Sequence, residues 1–231
     1  MDIDVFFRPN EDIEGDLSVV IDVLRATSVI TTLINLGCKK IIPVSTVEEA
    51  FNIKKNNPGY ILAGERNSKK VDGFDYGNSP LEYDSKVKGK TLIFTTTNGT
   101  KSIIRSKNAK QVILASLLNI SAIIETINKS RSKSINIICS GSNGELSLED
   151  IYCAGVIVSH VDGTLSDASQ LALAFYLCYK DNPERVLSEL SSHGRKLVLS
   201  GFAEDTIFCA KMNLYNNIPF YRNGAIQELK Q

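Results

Sequence analysis

The chain has 231 residues, 43% of them hydrophobic, enough for one large domain or two small units sharing a sheet. Lys plus Arg and Asp plus Glu each number 26, so the formal net charge is zero, which argues against nucleic acid or an anionic membrane surface as partner. The longest apolar run, residues 171–179, falls short of the ~20 residues that a bilayer crossing takes, and the acidic start at Asp2 and Asp4 is unlike a secretory leader. A cytoplasmic protein is expected, with Cys38, Cys139, Cys153, Cys178 and Cys209 as free thiols. The absence of any CxxC and the presence of only two His argue against zinc.

Residues 3–7 and 18–23 read as strands, and 26–36 as a helix closed by Gly37. A strand at 40–44 leads into Thr46-Val47-Glu48-Glu49, a capping box that opens a helix to about Asn56. Further strands read at 60–63, 91–95, 111–115 and 135–139, with helices after Asn98 and Asn119. Residues 67–87 are rich in acids and turn formers and read as an ordered functional loop. From Ser147 the pattern turns helical, at 147–161, 167–179, 183–191 and 203–213, before a last strand at 218–222. This alternation predicts an α/β fold: three α/β/α layers around a mostly parallel or mixed sheet, with a helical C-terminal third. A single domain over 1–231 is expected, strand-rich in 1–145 and helix-rich in 146–231.

In open α/β sheets, ligands bind beyond the carboxyl ends of the strands. Four such ends here carry chemistry: Asp22 and Arg25, Glu65 and Arg66, residues 95–101, and residues 139–144. In the third, Thr96, Thr97, Asn98, Gly99 and Thr100 with Lys101 open a helix, where unpaired N–H groups, hydroxyls and an ammonium suit a phosphate. The plain alternative is Asn98 as an ordinary helix cap. In the fourth, Ser140 and Gly141 can form a backbone nest for an anion. Cys139 there reads as a buried small residue, since Glu145 stands where a phosphatase loop of the tyrosine type needs Arg.

Asp22, Glu65, Glu149 and Asp150 offer hard oxygens of the kind that suit Mg²⁺. Asp150 serves equally well in a capping box with Ser147. Asp205 complements a helix dipole at least as readily as it binds a metal. Asp22 is either a ligand or a phosphoryl-accepting nucleophile. Near the C-terminus, Gly194 fits a helix C′ position. His193 is a candidate general acid or a helix C-terminal cap, and Arg195 a candidate anion ligand. The segment 72–80 reads as a tight surface loop, a lid or a dimer contact.

Taken together, these blocks resemble the 2-phosphosulfolactate phosphatase family. The resemblance rests on residues 20–27, Gly64-Glu65-Arg66, 73–80, 95–100, Cys139-Ser140-Gly141 with Gly144, Glu149-Asp150 with 153–155, and Ser192-His193-Gly194-Arg195 followed by Gly201-Phe202, all in one order. It implies a Mg²⁺-dependent acid phosphatase that converts 2-phospho-3-sulfolactate to 3-sulfolactate and phosphate, a step of coenzyme M biosynthesis in methanogens. The substrate carries three anionic groups, so a neutral chain must concentrate cations locally, at Arg25, Arg66, Lys101 and Arg195. In this scheme Mg²⁺ sits on some of Asp22, Glu65, Glu149, Asp150 and Asp205. Lys101 offsets developing charge, and His193 protonates the leaving oxygen. The rivals are a phosphatase of another phosphorylated hydroxy acid and a non-catalytic anion-binding protein. A homodimer is the generic expectation for a soluble oligomer.

Overall fold

Strand β2 (Leu17–Ile21) is buried along its whole length, as a run of Leu, Val and Ile with no solvated face demands. Its side chains alternate between two cores. Leu17, Val19 and Ile21 join one cluster, and Val20 joins another on the opposite face. β2 therefore lies at the centre of an α/β/α sandwich. The computed structural model describes residues 1–8 and 12–229.

In chain order the elements are β1 (Asp2–Phe6), β2, α1 (Ala26–Asn35), β3 (Lys40–Pro43), α2 (Val47–Asn56), β4 (Ile61–Arg66) and β5 (Lys69–Lys70). Next come β6 (Thr91–Thr95), α3 (Gly99–Arg105), β7 (Gln111–Ala115), α4 (Ile120–Lys129), β8 (Ser134–Cys139) and α5 (Leu148–Val158). The chain continues with β9 (Thr164–Leu165), α6 (Asp167–Tyr179), α7 (Pro183–Arg185), α8 (Ser192–Leu199), α9 (Ala203–Cys209), β10 (Pro219–Arg222) and β11 (Ala225–Glu228).

The sheet is mixed, in the order β5-β4-β6-β3-β11-β10-β7-β2-β8-β1-β9. β4, β6 and β3 form one parallel block, and β7, β2, β8, β1 and β9 form a second. The C-terminal hairpin β10–β11 joins them, antiparallel to β7 on one side and to β3 on the other. The second strand of that hairpin has no counterpart in the sequence reading, which ends at 218–222.

Helix α1 is the hub. Thr, Val and Ile dominate it, and β-branched residues have mediocre helix propensity. Burial stabilises it instead: every residue from Ala26 to Ile34 is buried. Its cluster draws on both blocks, through Ile41, Leu92 and Phe94 on one side and Val20, Val112, Leu114 and Ile138 on the other, with Ile226 of the hairpin between. Thr27, Ser28 and Thr32 satisfy their hydroxyls on the carbonyls of Asp22, Val23 and Ser28.

The sheet must curl around this helix. β3, β11, β10 and β7 separate β6 from β2, so a flat sheet would hold those strands about 24 Å apart. Yet Gly99, after β6, lies so close to Asp22, after β2, that a Cβ on it would fall 2.5 Å from Asp22 Oδ2. Curling thus brings the carboxyl ends of both blocks to one place. No described helix is long and apolar enough to cross a membrane.

Candidate active site

A cleft of about 410 Å³, counting its open mouth, lies where those strand ends meet, lined by Asp22, Leu24, Arg25, Glu65, Asn67, Ser68 and Asn78, and by Thr96, Thr97, Asn98, Ser142, Asn143 and His193.

Asp22 follows β2. Its Oδ1 accepts from Ala26 N at 3.0 Å, so it caps the first turn of α1. Burial raises its pKa to about 6, and the Glu149 and Glu65 charges push the same way. Glu65 ends β4 and is also buried. Its Oε1 accepts from Thr97 N and its Oε2 from Ser68 N, both at 2.7 Å. One carboxylate thus holds the loop after β6 and the turn after β4 together. That turn is a two-residue hairpin with Asn67 and Ser68 both at positive φ.

Arg25 is 3% exposed. Its Nη1 donates to Asp205 Oδ2 at 2.5 Å and its Nη2 to Ser68 O at 3.3 Å, while the guanidinium lies over the Phe202 ring. Asp205 spends its other oxygen on the Ser79 hydroxyl, at 2.7 Å. It therefore neutralises Arg25 from behind and does not line the cleft.

His193 sits in the first turn of α8. Ser191 caps that turn by accepting from Gly194 N at 3.0 Å. A helical segment does end here as expected, at Leu190, but Gly194 belongs to the next helix, α8. Gly194 is not a C′ residue; it is glycine because a Cβ would lie 1.6 Å from Leu187 O. His193 likewise caps no helix C-terminus. Its Nε2 lies 2.9 Å from Leu24 O and its Nδ1 3.3 Å from Ser142 Oγ. A carbonyl only accepts, so the hydrogen is on Nε2. Burial lowers its pKa, against the pull of Asp22.

The remaining expected residues fall into two groups. Gly99, Thr100, Ser140, Gly141, Glu149 and Asp150 do not line the cleft themselves but belong to the loops and helix starts beside it. Asp150 accepts from Val23 N at 2.9 Å and Gly141 N at 3.1 Å, tying the loops after β2 and β8. This corrects its capping-box alternative, since Ser147 makes no side-chain cap bond on α5. Glu149 accepts from Ser191 Oγ at 2.6 Å. Burial raises both carboxyls, that of Asp150 well above its usual value with help from the Glu149 and Asp22 charges. Asn98 makes no cap bond either; its Oδ1 accepts from Asn143 N at 3.2 Å.

The second group lies outside the cleft. Lys101 points to solvent from α3, and Arg195 donates to the carbonyls of Glu189 and Leu190, both exposed. Arg66 braces β4 from behind, on the Thr95 hydroxyl and the Ser45 and Glu65 carbonyls. The expectation of four local cations at the site is therefore corrected to one, Arg25. Cys139 is buried at the end of β8, and burial pushes its thiol far up, the environment of an inert structural cysteine.

Asn67, Ser68, Asn78, Ser142 and Asn143 fall inside the segments 67–87, 72–80 and 139–144 that the sequence marks, but the sequence assigns none of them a role of its own. Asn143-Gly144 was a readable signal, since Asn-Gly marks a tight hairpin turn. Asn78 lies in the 73–80 block, and nothing in its residue type announced a role.

A sequence profile described as 2-phosphosulpholactate phosphatase matches residues 7–224. Relatives named "Probable 2-phosphosulfolactate phosphatase" align along almost the whole chain. The one from Caldanaerobacter subterraneus subsp. tengcongensis is 43% identical over 94% of this chain and 92% of its own. That from Thermotoga petrophila is 42% identical over 96% of each. That from Clostridium tetani is 39% identical over 98% of this chain and 100% of its own.

Proposed function

The chain belongs to the 2-phosphosulpholactate phosphatase family, and from that premise we propose that it hydrolyses 2-phospho-3-sulfolactate to 3-sulfolactate and inorganic phosphate, with Mg²⁺ as cofactor. The observation that carries this reading is the pairing of Asp22 and Glu65 across one cleft with the buried guanidinium of Arg25.

The donor set fits the cation. Among the described residues no three His, Cys, Asp or Glu side chains gather around a metal position. Mg²⁺ asks for less than that: one or two carboxylates, waters and substrate oxygens. Asp22 and Glu65 supply the carboxylates. Asn78 Oδ1 and Thr97 Oγ1 are buried with no protein partner, and both residues line the cleft. Such orphans call for a ligand. When bound, Mg²⁺ would offset the charge of the phosphoryl group and its two carboxylates.

The chain's own groups then divide the work. In this reading Asp22 holds the cation rather than attacking phosphorus, which its burial and the nearby Glu149 and Glu65 charges support, since a cation would offset them. Thr97 Oγ–H donates to a phosphoryl oxygen. Arg25 faces a second anionic group, with Asp205 limiting its net charge. Water supplies the oxygen that joins phosphorus, and the ester oxygen leaves as the hydroxyl of 3-sulfolactate.

Phosphate release from 2-phospho-3-sulfolactate, with Mg²⁺ and with EDTA, beside 2-phospholactate, tests this. Release that needs the metal and prefers the sulfonate is expected. Equal rates on both substrates would remove the sulfonate assignment. No release from folded protein would remove the phosphatase.

A further inference from the structure

The loop after β8 presents one hydroxyl to the cleft with unusual care. Ser142 and Glu145 exchange backbone hydrogen bonds of 2.8 and 3.0 Å across the two-residue turn Asn143-Gly144, whose φ values are 52° and 81°. This is the hairpin turn with both central residues left-handed. Just before it, Gly141 adopts φ 66°, and a Cβ there would meet Glu145 O at 2.3 Å. Its N–H is held by Asp150, and Asn143 N–H is held by Asn98. Ser142 is therefore fixed in place from both sides, at the edge of the same cleft as Asp22 and Glu65.

Its hydroxyl is fixed as well. His193 gives its Nε2 hydrogen to Leu24 O, which leaves Nδ1 of the neutral ring as an acceptor, 3.3 Å from Ser142 Oγ. Ser142 must then donate its single hydrogen to His193. What remains facing the cleft is an oxygen that only accepts. A phosphate, carboxylate or sulfonate is itself an acceptor and gains nothing from it. Water is the donor that fits.

We propose that Ser142 is a catalytic residue that orients the attacking water by accepting its hydrogen bond, with His193 as the positioning residue that turns the serine oxygen towards the cleft. This rests on the phosphatase reading above, and it replaces the general-acid role expected of His193. The pair sets the direction of the water's lone pair towards phosphorus; Asp22, Glu65 and Arg25 hold what is attacked.

The test compares Ser142→Ala, Ser142→Thr, His193→Asn and the Ala/Asn double variant in the Mg²⁺-loaded enzyme. Ser142→Ala should lower kcat about 10²-fold, the scale of one positioned proton acceptor. KM, and calorimetric binding of 3-sulfolactate, should stay within about threefold, because the water rather than the substrate loses its partner. Ser142→Thr keeps the hydroxyl and should recover most of kcat. The double variant should be no slower than the slower single, since the two residues act as one unit. Should the alanine variant fail to fold, the threonine and His193→Asn enzymes carry the same comparison. A kcat within twofold of wild type in Ser142→Ala, a loss confined to KM in that variant, or additive losses in the double variant would each overturn the inference. A wild type that releases no phosphate would instead remove the functional reading, and this inference with it.

Discussion

The two parallel blocks give the cleft one carboxylate each, and hold them differently. In the larger block Asp22 has one backbone N–H on one oxygen and sits beside Glu149 and Asp150, all buried. In the smaller block Glu65 has a backbone N–H on each oxygen. The first carboxylate is stored in an unfavourable place for a charge. The second is solvated by the chain itself and braces two loops. A buried acid that the fold does not satisfy is the one poised for a ligand; a satisfied acid also shapes the site.

The strongest way to break the comparison is to separate the blocks. A chain ending at residue 216 lacks β10 and β11, the only strands joining β7 to β3 among the described residues. It should lose cooperative urea unfolding altogether. A truncated chain with a native-like transition would show that the curl around α1 does not depend on the hairpin.

Next in size is one chemical change made on both sides. Asp22 has a folded pKa of about 6 against an ordinary value of 3.8, so the folded state binds the extra proton between those pH values. Stability of the metal-free protein therefore falls as pH rises through that window, and the loss is complete above it. Asp22→Asn removes the charge and should stabilise the metal-free protein at pH 7 by up to about 3 kcal/mol, at 1.36 kcal/mol per pKa unit. The gain should vanish near pH 4. Glu65→Gln should do the reverse, costing about 1–3 kcal/mol, because an amide cannot accept from both Thr97 N and Ser68 N. Urea midpoints at pH 4 and pH 7 read both. The same sign for the two variants would erase the distinction between the blocks.

The smallest effect is expected at Lys101. It is exposed and lies outside the cleft, so Lys101→Ala should leave kcat and KM within about twofold and stability within ~0.5 kcal/mol. A tenfold change in either constant would put the ammonium back at the substrate and require a different arrangement of α3.

Much was legible because it is local. Helix α1 stops just before the predicted Gly37, whose φ of 79° only glycine adopts freely. Thr46 caps α2 by accepting from Glu49 N at 3.1 Å, as its motif requires. β6, β7 and α6 carry the bounds read from apolar runs and periodicity. The break between helices near His193 is real, but Gly194 only looks like its helix end, whereas a close approach to Leu187 O is what demands glycine there.

The amino-acid sequence by itself determined which residues stand at the strand ends that line the cleft: Asp22 after β2, Glu65 near the end of β4, Thr96 to Asn98 after β6, all set by residue type and period. It could not say which of its charges would face one another. Only the tertiary structure decided that Arg25 and not Lys101 reaches the cleft, that Asp205 neutralises it, and that Ser142 of the 139–144 loop meets His193. The physical reason is that strands far apart in the sheet converge only when it curls around α1. The core around α1 joins Ile41, Val112 and Ile226, residues separated by long stretches of chain.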